Sequence, residues 1–345
     1  MPTRSTTART TVERMTLPNG LRVLVAPDRT SPRVGVAVIY DVGFRTEPEG
    51  LTGFAHLFEH LMFQGSANVG KSEHMQLVQG AGGQVNGNTQ ADMTRYFEAV
   101  PSDALELMLW CEADRMRSLA LTEENLRNQI DVVKEEIKVN VLNRPYGGFP
   151  WIPLPALAFD TYPNAHNGYG DFVHLESASL EDAAHFYATY YTPLNAVLAV
   201  TGDTSTEEVF ELAHRHFGDI SAPKGRKVPP HGPYREPLLS KQRRKKIYDP
   251  LAPQPAFSVA FRAPDPEHDF DSYVAHVVLA DLLSSGDASR LTSRLVYKDR
   301  VVTDVGCMIG TFGMDTFQMR DPILFQILAF HPGAASTDDI VRLID

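Results

Sequence analysis

The residues His56, Glu59 and His60 have the types and spacing of two metal ligands and a general base. They lie in the segment 51–63, whose apolar residues recur at the spacing of an amphipathic helix. Residues at i and i+4 project from one face of a helix, so the two imidazoles point together and can bind one Zn2+ ion. The Glu59 carboxylate cannot join them, but it reaches water at the ion and is the natural base. The alternative is a helix with two solvated histidines, one of them paired with Glu59.

A third ligand for this ion is offered by Glu136. The segment 122–142 has apolar residues at helical spacing, and Glu136 flanks the resulting stripe. On that flank it can face the packed core in which the first helix also sits. Glutamate is a common third ligand of catalytic zinc, and three protein ligands leave the fourth position to water. The alternative is that Glu136 is an ordinary surface acid.

The elements around these residues mix strands and helices. Val34, Val36 and Val38 occupy every second position, which predicts a strand. The other predictions for the first half rest on the same two periodicities. In chain order they are strands 21–25 and 33–42, helices 51–63 and 72–79, strands 84–90 and 93–100, helices 101–119 and 122–142, a loop rich in Pro, Gly and aromatic residues at 144–171, helix 179–190, strand 195–201 and helix 204–216.

The second half repeats this order after a break. Residues 221–246, rich in proline and basic residues, have the composition of a surface linker. Beyond the linker we predict strand 256–262, helices 270–283 and 288–298, strands 301–310 and 323–330, and a helix from about residue 336. If the halves are a repeat, Leu279 and Ala280 stand opposite Glu59 and His60. We therefore expect a domain at 12–220 that carries the site, a linker at 221–246, and a domain at 247–345 without a metal site.

Composition bounds the class of protein. With 345 residues, 43% of them hydrophobic, the chain can form two cores. A net charge of −11 argues against nucleic acid or anionic lipid as a partner. Two distant cysteines, Cys111 and Cys307, exclude a disulfide framework and suit a reducing compartment. No secretory signal stands at the start and no run reaches the roughly 18 apolar residues of a membrane span, so we expect a cytoplasmic enzyme without a membrane partner.

Five segments of the first half resemble one known family in their order and spacing. They are Gly53–Gly65, Gly82–Thr89, Asp92–Tyr96, Glu112–Met116 and Val132–Glu136. The family is that of the pitrilysin/insulinase zinc peptidases, whose signature His-x-x-Glu-His inverts the usual zincin order. The resemblance covers residues 50–140 closely and 15–220 more loosely.

The resemblance implies the roles of the site residues and the fold. By resemblance, His56, His60 and Glu136 bind one zinc ion per chain, and Glu59 is the general base. The implied fold class is α+β, with two related two-layer α/β-sandwich domains of the mitochondrial-processing-peptidase type that close around a peptide. The second of these domains is expected to be incomplete. The implied activity is that of a zinc metalloendopeptidase, which hydrolyses peptides with a Glu-activated, metal-bound water.

The resemblance also places the peptide substrate at strand 84–90, with Asn86 and Gly87 at its centre. An exposed strand edge binds an extended peptide as one more strand, because backbone pairing supplies affinity without sequence demands. Gly87 permits a close approach of the two backbones. An ordinary sheet edge or hairpin is the alternative.

Two features depart from the family pattern. Gln129 stands where many relatives have a second glutamate, two helical turns before Glu136, so it can hydrogen-bond near the metal but carries no charge. Val296 and Thr303 stand where many relatives have an Arg and a Tyr that grip the substrate backbone. Some zinc-bearing members pair with a metal-free chain, so we expect a sister subunit without the zinc motif, or a homodimer.

Two other functions stay open at this point. One is a non-catalytic assembly or structural subunit of a heteromeric complex, because members of the superfamily also serve structurally. The other is a dedicated precursor-maturation protease that works with a partner subunit, which differs from a general peptidase only in the breadth of its substrates.

Overall fold

The computed structural model describes residues 11–221, 228, 232, 234–310 and 316–344. The chain forms two compact units. The first comprises Met1–Thr89, Met93–Val133 and Asp171–His231, and the second comprises Gln90–Asp92, Lys134–Gly170 and Gly232–Asp345. The segment 134–170 thus clusters with the second unit, although the predicted domain boundaries place it in the first domain. Of the predicted linker 221–246, residues 222–227, 229–231 and 233 lie outside the described residues.

The strands follow the predicted order, with one addition. Their bounds are β1 (Glu13–Thr16), β2 (Arg22–Pro27), β3 (Arg33–Tyr40), β4 (Gln84–Thr89), β5 (Thr94–Pro101), β6 (Ala196–Gly202), β7 (Ala256–Arg262), β8 (Asp304–Ile309) and β9 (Leu324–Phe330). The addition is β1, whose four residues are largely polar and exposed. It forms because it pairs with β2, not because of any alternation of its own.

The helices are also close to prediction where they are long. Their bounds are α1 (Phe54–Leu61), α2 (Glu73–Gly80), α3 (Leu105–Ser118), α4 (Glu123–Ile137), α5 (Pro153–Ala158), α6 (Tyr162–Ala165), α7 (Phe172–Ser177), α8 (Leu180–Tyr190), α9 (Thr206–Phe217), α10 (Phe270–Ser284) and α11 (Thr337–Ile344). The predicted loop at 144–171 contains α5 and α6, which are too short for a helical period to show. The predicted helix at 288–298 is a π-helical segment over Thr292–Lys298.

The first unit is built on a six-stranded sheet with the strand order β1-β2-β6-β3-β5-β4. Strands β2 and β6 run parallel, and the other neighbours are antiparallel. In β3 the alternate residues Val34, Val36 and Val38 are buried, as their spacing predicts. Strand β4 lies at one edge of the sheet and pairs with β5 along its whole length, with Gly87 opposite Tyr96.

The second unit contains a three-stranded antiparallel sheet in the order β7-β9-β8. Leu324 of the central strand β9 packs with Leu154 and Phe159, which explains why residues around α5 cluster with this unit. Strand β7 is followed by α10, as β3 is followed by α1, and α10 carries Leu279 and Ala280. The α+β fold class is confirmed. Among the described residues, no helix is both long enough and apolar enough to cross a bilayer.

Candidate active site

Helix α1 presents the three residues predicted to do chemistry on its open face. Its five apolar residues are buried, whereas His56, Glu59 and His60 are half-buried. The turn of 3.6 residues produces this division, because i, i+3 and i+4 share one face. On the apolar side, the rings of Phe186 and Tyr191 lie 5.0 and 5.2 Å from the ring of Phe58, centre to centre. The packed side therefore fixes α1 and leaves its polar side accessible.

A buried carboxylate from outside the helix caps the N-terminus of α1. Glu47 accepts the N–H of Gly53 at 2.9 Å and that of Ala55 at 2.8 Å, and it is only 2% exposed. Gly53 has a φ of 91°, which glycine adopts without strain. A negative charge here satisfies N–H groups that lack helical partners and interacts favourably with the helix dipole. The capping residue is not adjacent to the helix in the sequence, so the usual N-cap position gives no sign of it.

The three predicted metal ligands come together. One ligand atom from each of His56, His60 and Glu136 lies within 4.8 Å of the other two. The two imidazole ring centres are 5.1 Å apart, and the rings are nearly perpendicular at 83°. Glu136 is half-buried in the last turn of α4. The structure therefore brings these side chains to one place, and their role as ligands stays a prediction.

The donor set fits a zinc ion. Two imidazole nitrogens and one carboxylate oxygen form a ligand set that catalytic zinc sites use, with a fourth position open to water or substrate. All three side chains keep partial exposure, as such an open position requires. The alternative, that Glu136 is an ordinary surface acid, stays open beside this prediction, although its carboxylate lies within 4.8 Å of both imidazoles.

Glu59 lies directly against the edge strand β4 at Gly87. A Cβ atom built on Gly87 would lie 3.2 Å from Cγ of Glu59, and 3.3 Å from both Phe63 and Tyr96. These distances are shorter than ordinary van der Waals contacts between carbons. Because residue 87 is a glycine, the strand lies close to the predicted base without displacing it.

The other predicted substrate residue, Asn86, is exposed in the middle of β4. Its Oδ1 accepts the N–H of Gly87 at 2.9 Å, so the side chain turns back onto its own strand. The sheet order leaves one side of β4 without a neighbouring strand among the described residues. An edge of this kind is available for pairing, as the resemblance implies, but binding of a peptide there stays a prediction.

The three positions at which the sequence departs from the family pattern lie within the described residues. Gln129 is buried on α4, and its amide donates to Oδ1 of Asn128 at 2.9 Å. Val296 is half-buried in the π-helical segment of the second unit. Thr303 is exposed, and its hydroxyl donates to the carbonyl of Phe330 at 3.1 Å. The proposed contribution of Gln129 to metal binding therefore remains a prediction.

The structure adds a buried charged cluster that sequence reasoning missed. Ligand atoms of His74, Glu98 and Glu112 also lie within 4.8 Å of one another, and all three residues are fully buried. A metal ion is not needed here, because Arg115 binds both carboxylate oxygens of Glu112, through Nε at 3.0 Å and through Nη2. The available signal was weak: Glu112 and Arg115 stand at i, i+3 on a helix whose other buried residues are mostly apolar.

Burial sets the protonation of this cluster. Desolvation, followed by the neighbouring Glu112, raises the pKa of Glu98 well above its usual range and favours the neutral carboxyl. Desolvation, with a further contribution from Arg115, lowers the pKa of His74 to about 2, so its ring is also neutral. Desolvation also raises the pKa of Glu112, and Arg115, which hydrogen-bonds both of its oxygens, opposes that rise.

One further residue beside the predicted ligands was missed. Burial first, and the nearby Glu136 carboxylate second, raise the pKa of the Tyr169 hydroxyl. Tyr169 thus lies within the electrostatic influence of the predicted third ligand. It belongs to the segment 144–171, whose composition indicated a loop and gave no sign of which residue would approach the site.

The fold and the site together define a class: an α+β chain with a His-x-x-Glu-His motif on its first helix and a glutamate of a later helix close to both histidines. The family model described as Insulinase (Peptidase family M16) matches residues 22–145, and the model described as Peptidase M16 inactive domain matches residues 177–329. This chain belongs to the insulinase family of peptidases, M16.

Individual relatives support the same family assignment. The chain is similar to the zinc protease PqqE of Helicobacter pylori, with 31% identity over 293 residues, which cover 84% of this chain and 65% of that protein. A crystal structure of a protease from Helicobacter pylori superposes with a TM-score of 0.88 and 29% identity, covering 97% of this chain and 79% of that one. Subunit 1 of the human mitochondrial cytochrome b-c1 complex is 28% identical over 204 residues, covering 59% of this chain and 42% of the subunit. The chain therefore spans less than two thirds of these two curated relatives.

Proposed function

We propose that this chain is a zinc-dependent endopeptidase that acts on extended peptides. The observation that carries the proposal is the convergence of His56, His60 and Glu136 within 4.8 Å, on the face of α1 that also presents Glu59. Membership of a peptidase family supports it, as does similarity to a protein named as a zinc protease.

Each residue has a defined task in this proposal. His56, His60 and Glu136 would hold one zinc ion, which when bound polarises the scissile carbonyl and lowers the pKa of water toward about 7. Glu59 takes a proton from the attacking water and passes it to the leaving amine. The free edge of β4 would pair with the peptide backbone, and Gly87 lets β4 itself lie close to Glu59.

Replacing the base separates chemistry from metal binding. Glu59→Gln keeps the shape of the side chain but removes its basicity, so we expect zinc to remain bound while turnover is lost. Bound zinc is measured by elemental analysis, and turnover with quenched fluorescent peptides of unstructured sequence. Full turnover by Glu59→Gln would refute the role proposed for this residue.

The third ligand has a matched control one residue away. Glu135 is 66% exposed and forms an ion pair with Lys138 at 3.6 Å, on the outer side of the same helix. Glu136→Gln removes a carboxylate from the proposed zinc shell and should lower zinc occupancy, whereas Glu135→Gln should leave it unchanged. Equal zinc occupancy in the two variants would exclude Glu136 as a ligand.

A partner subunit is part of the proposal. Val296 and Thr303 lack the side chains that grip substrate in many relatives, and one similar protein is named as a subunit of the cytochrome b-c1 complex. We propose a sister subunit without the zinc motif, or a homodimer, that completes the site. Sedimentation of the full-length chain, alone and with any co-purifying subunit, distinguishes these arrangements.

A non-catalytic subunit is the second candidate function. It is favoured by the match of residues 177–329 to a domain described as inactive, and by the similarity to cytochrome b-c1 complex subunit 1. Stoichiometric zinc with no cleavage of any unstructured peptide, alone or with a partner, would support this candidate.

The breadth of substrates and the location complete the proposal. A precursor-maturation protease would cleave few members of a peptide library, whereas a general peptidase would cleave many. The cysteine usage fits a reducing compartment, and we propose the cytoplasm. Fractionation of cells that express the full-length protein tests this location.

A further inference from the structure

A buried hydroxyl group holds α1 at the residue that precedes the proposed base. Tyr96 Oη donates to the carbonyl oxygen of Phe58 at 3.1 Å, and the same carbonyl accepts the N–H of Met62 within the helix. Tyr96 is fully buried, and this burial raises the pKa of its hydroxyl well above the usual range, so the proton stays on the oxygen. The bond therefore ties strand β5 to α1 next to Glu59.

The Tyr96 ring is itself held by a buried cation. The guanidinium carbon of Arg115 lies 4.4 Å from the centre of the Tyr96 ring and 5.2 Å from that of Phe63. Arg115 is fixed by Glu112, which binds it through both carboxylate oxygens. A planar guanidinium can bind a carboxylate along its edge and a ring with its face at the same time.

The two rings beneath Arg115 lie around Gly87 together with the stem of Glu59. Tyr96 and Phe63 both lie 3.3 Å from the position that a Cβ on Gly87 would take, and Cγ of Glu59 lies 3.2 Å from it. Arg115, the two rings, Gly87 and Glu59 thus lie in one region of the first unit. A shift of Tyr96 would reach Glu59 through its bond to Phe58 in the backbone of α1.

We propose that Tyr96 and Arg115 are positioning residues for Glu59, and that the buried charged cluster exists to hold them. This inference rests on the proposed function of Glu59. A misplaced base slows the chemical step without weakening the binding of the peptide backbone at β4 or of the metal. The readout that separates positioning from general stability is therefore a fall in kcat with KM and zinc occupancy unchanged.

The first test compares two Tyr→Phe variants, one in each unit. Tyr96→Phe removes the bond to Phe58 and keeps the ring. Tyr146→Phe is the matched control, because its hydroxyl also donates to a backbone carbonyl, that of Gln254 at 2.7 Å, but lies in the second unit. We expect kcat on a quenched unstructured peptide to fall about 10-fold in Tyr96→Phe only. Hydrogen exchange should also become faster over α1 in that variant.

Either of two results would overturn the inference. One is a wild-type kcat in Tyr96→Phe, and the other is an equal loss of kcat in both Tyr→Phe variants. Failure of the positioning role can be distinguished from failure of the proposed function. If Glu59→Gln is inactive and Tyr96→Phe is fully active, only the positioning role fails, whereas an active Glu59→Gln refutes the base itself.

The second test removes the cation without leaving a buried charge. Arg115→Met alone strands the carboxylate of Glu112 in the core and is expected to lose folded protein. The double variant Glu112→Gln/Arg115→Met is neutral, and we expect it to fold with kcat at least about 10-fold below wild type and zinc occupancy unchanged. A folded double variant with wild-type kcat would show that Arg115 has no positioning role.

Discussion

The cap on α1 predicts a large and specific loss of stability on removal of Glu47. Glu47→Ala deletes two hydrogen bonds from backbone N–H groups to a buried carboxylate, at 2.9 and 2.8 Å. Hydrogen bonds to charged groups contribute about 1.5–3 kcal/mol, and helix caps up to about 2 kcal/mol. Since the two bonds share one side chain and are not independent, we expect the free energy of unfolding to fall by about 2–4 kcal/mol.

The measurement must report on the first unit alone. The chain has two tryptophans, of which Trp110 lies in α3 of the first unit and Trp151 in the second. In a Trp151→Phe background, urea unfolding followed by the fluorescence of Trp110 gives the free energy of unfolding of the first unit. Zinc occupancy is measured in parallel, because α1 carries two of the proposed ligands.

Two companion variants test whether the charge and the position of the Glu47 carboxylate cause the loss of stability. Glu47→Gln keeps one acceptor and loses the charge, so its loss should be intermediate. Glu49→Ala removes an exposed acid two residues away and should change the free energy by less than about 0.5 kcal/mol. If Glu47→Ala is no less stable than Glu49→Ala, the carboxylate does not hold the helix, and the account of how α1 is positioned is wrong.

Three further predictions follow from the buried cluster and the edge strand. The pKa of His74 is about 2 in the folded protein and about 6.5 in the unfolded chain, so unfolding takes up a proton once the pH falls below about 6.5. The Tm of His74→Phe should therefore fall less than that of the wild type when the pH is lowered from 7.5 to 5. The raised pKa of Glu98 has the opposite effect on stability. As the pH rises above about 4.5, this carboxyl ionises in the unfolded chain before it does so in the folded protein, so the folded state becomes less stable. Glu98→Gln should therefore have a higher Tm than the wild type at pH 8 but not at pH 4. Gly87→Val places a branched side chain where a single Cβ already lies 3.2 Å from Glu59, so turnover should fall at least about 10-fold with zinc occupancy unchanged, and wild-type turnover would show that β4 does not approach the base.

Local periodicity was enough to predict the elements that carry the site. The half-buried face of α1 and the alternate burial of β3 follow directly from the spacing of their apolar residues. The convergence of Glu136 with the two histidines was predictable only in part. The apolar stripe of α4 indicates which face is packed, but the register between two helices depends on contacts distant in sequence.

The buried charges could not be predicted in the same way. Glu98, Glu112 and Arg115 would be placed at the surface by their types, because charged residues are rarely fully buried unless they are paired. Their pairing depends on α3 and β5 meeting in the fold. The cap on α1 was missed for a related reason, since Glu47 reaches the helix across a turn and is not adjacent to its first residue.

The length of α1 explains why these unpredicted contacts matter. A helix of eight residues is shorter than the roughly 12–15 residues that an isolated helix needs for even marginal stability in water. The spacing of His56, Glu59 and His60 is therefore useful only while packing keeps this segment helical. The Glu47 cap holds its first turn, Tyr96 holds its second, and the aromatic rings cover its apolar side. The motif supplies the chemical groups, whereas their relative positions depend on residues outside the motif.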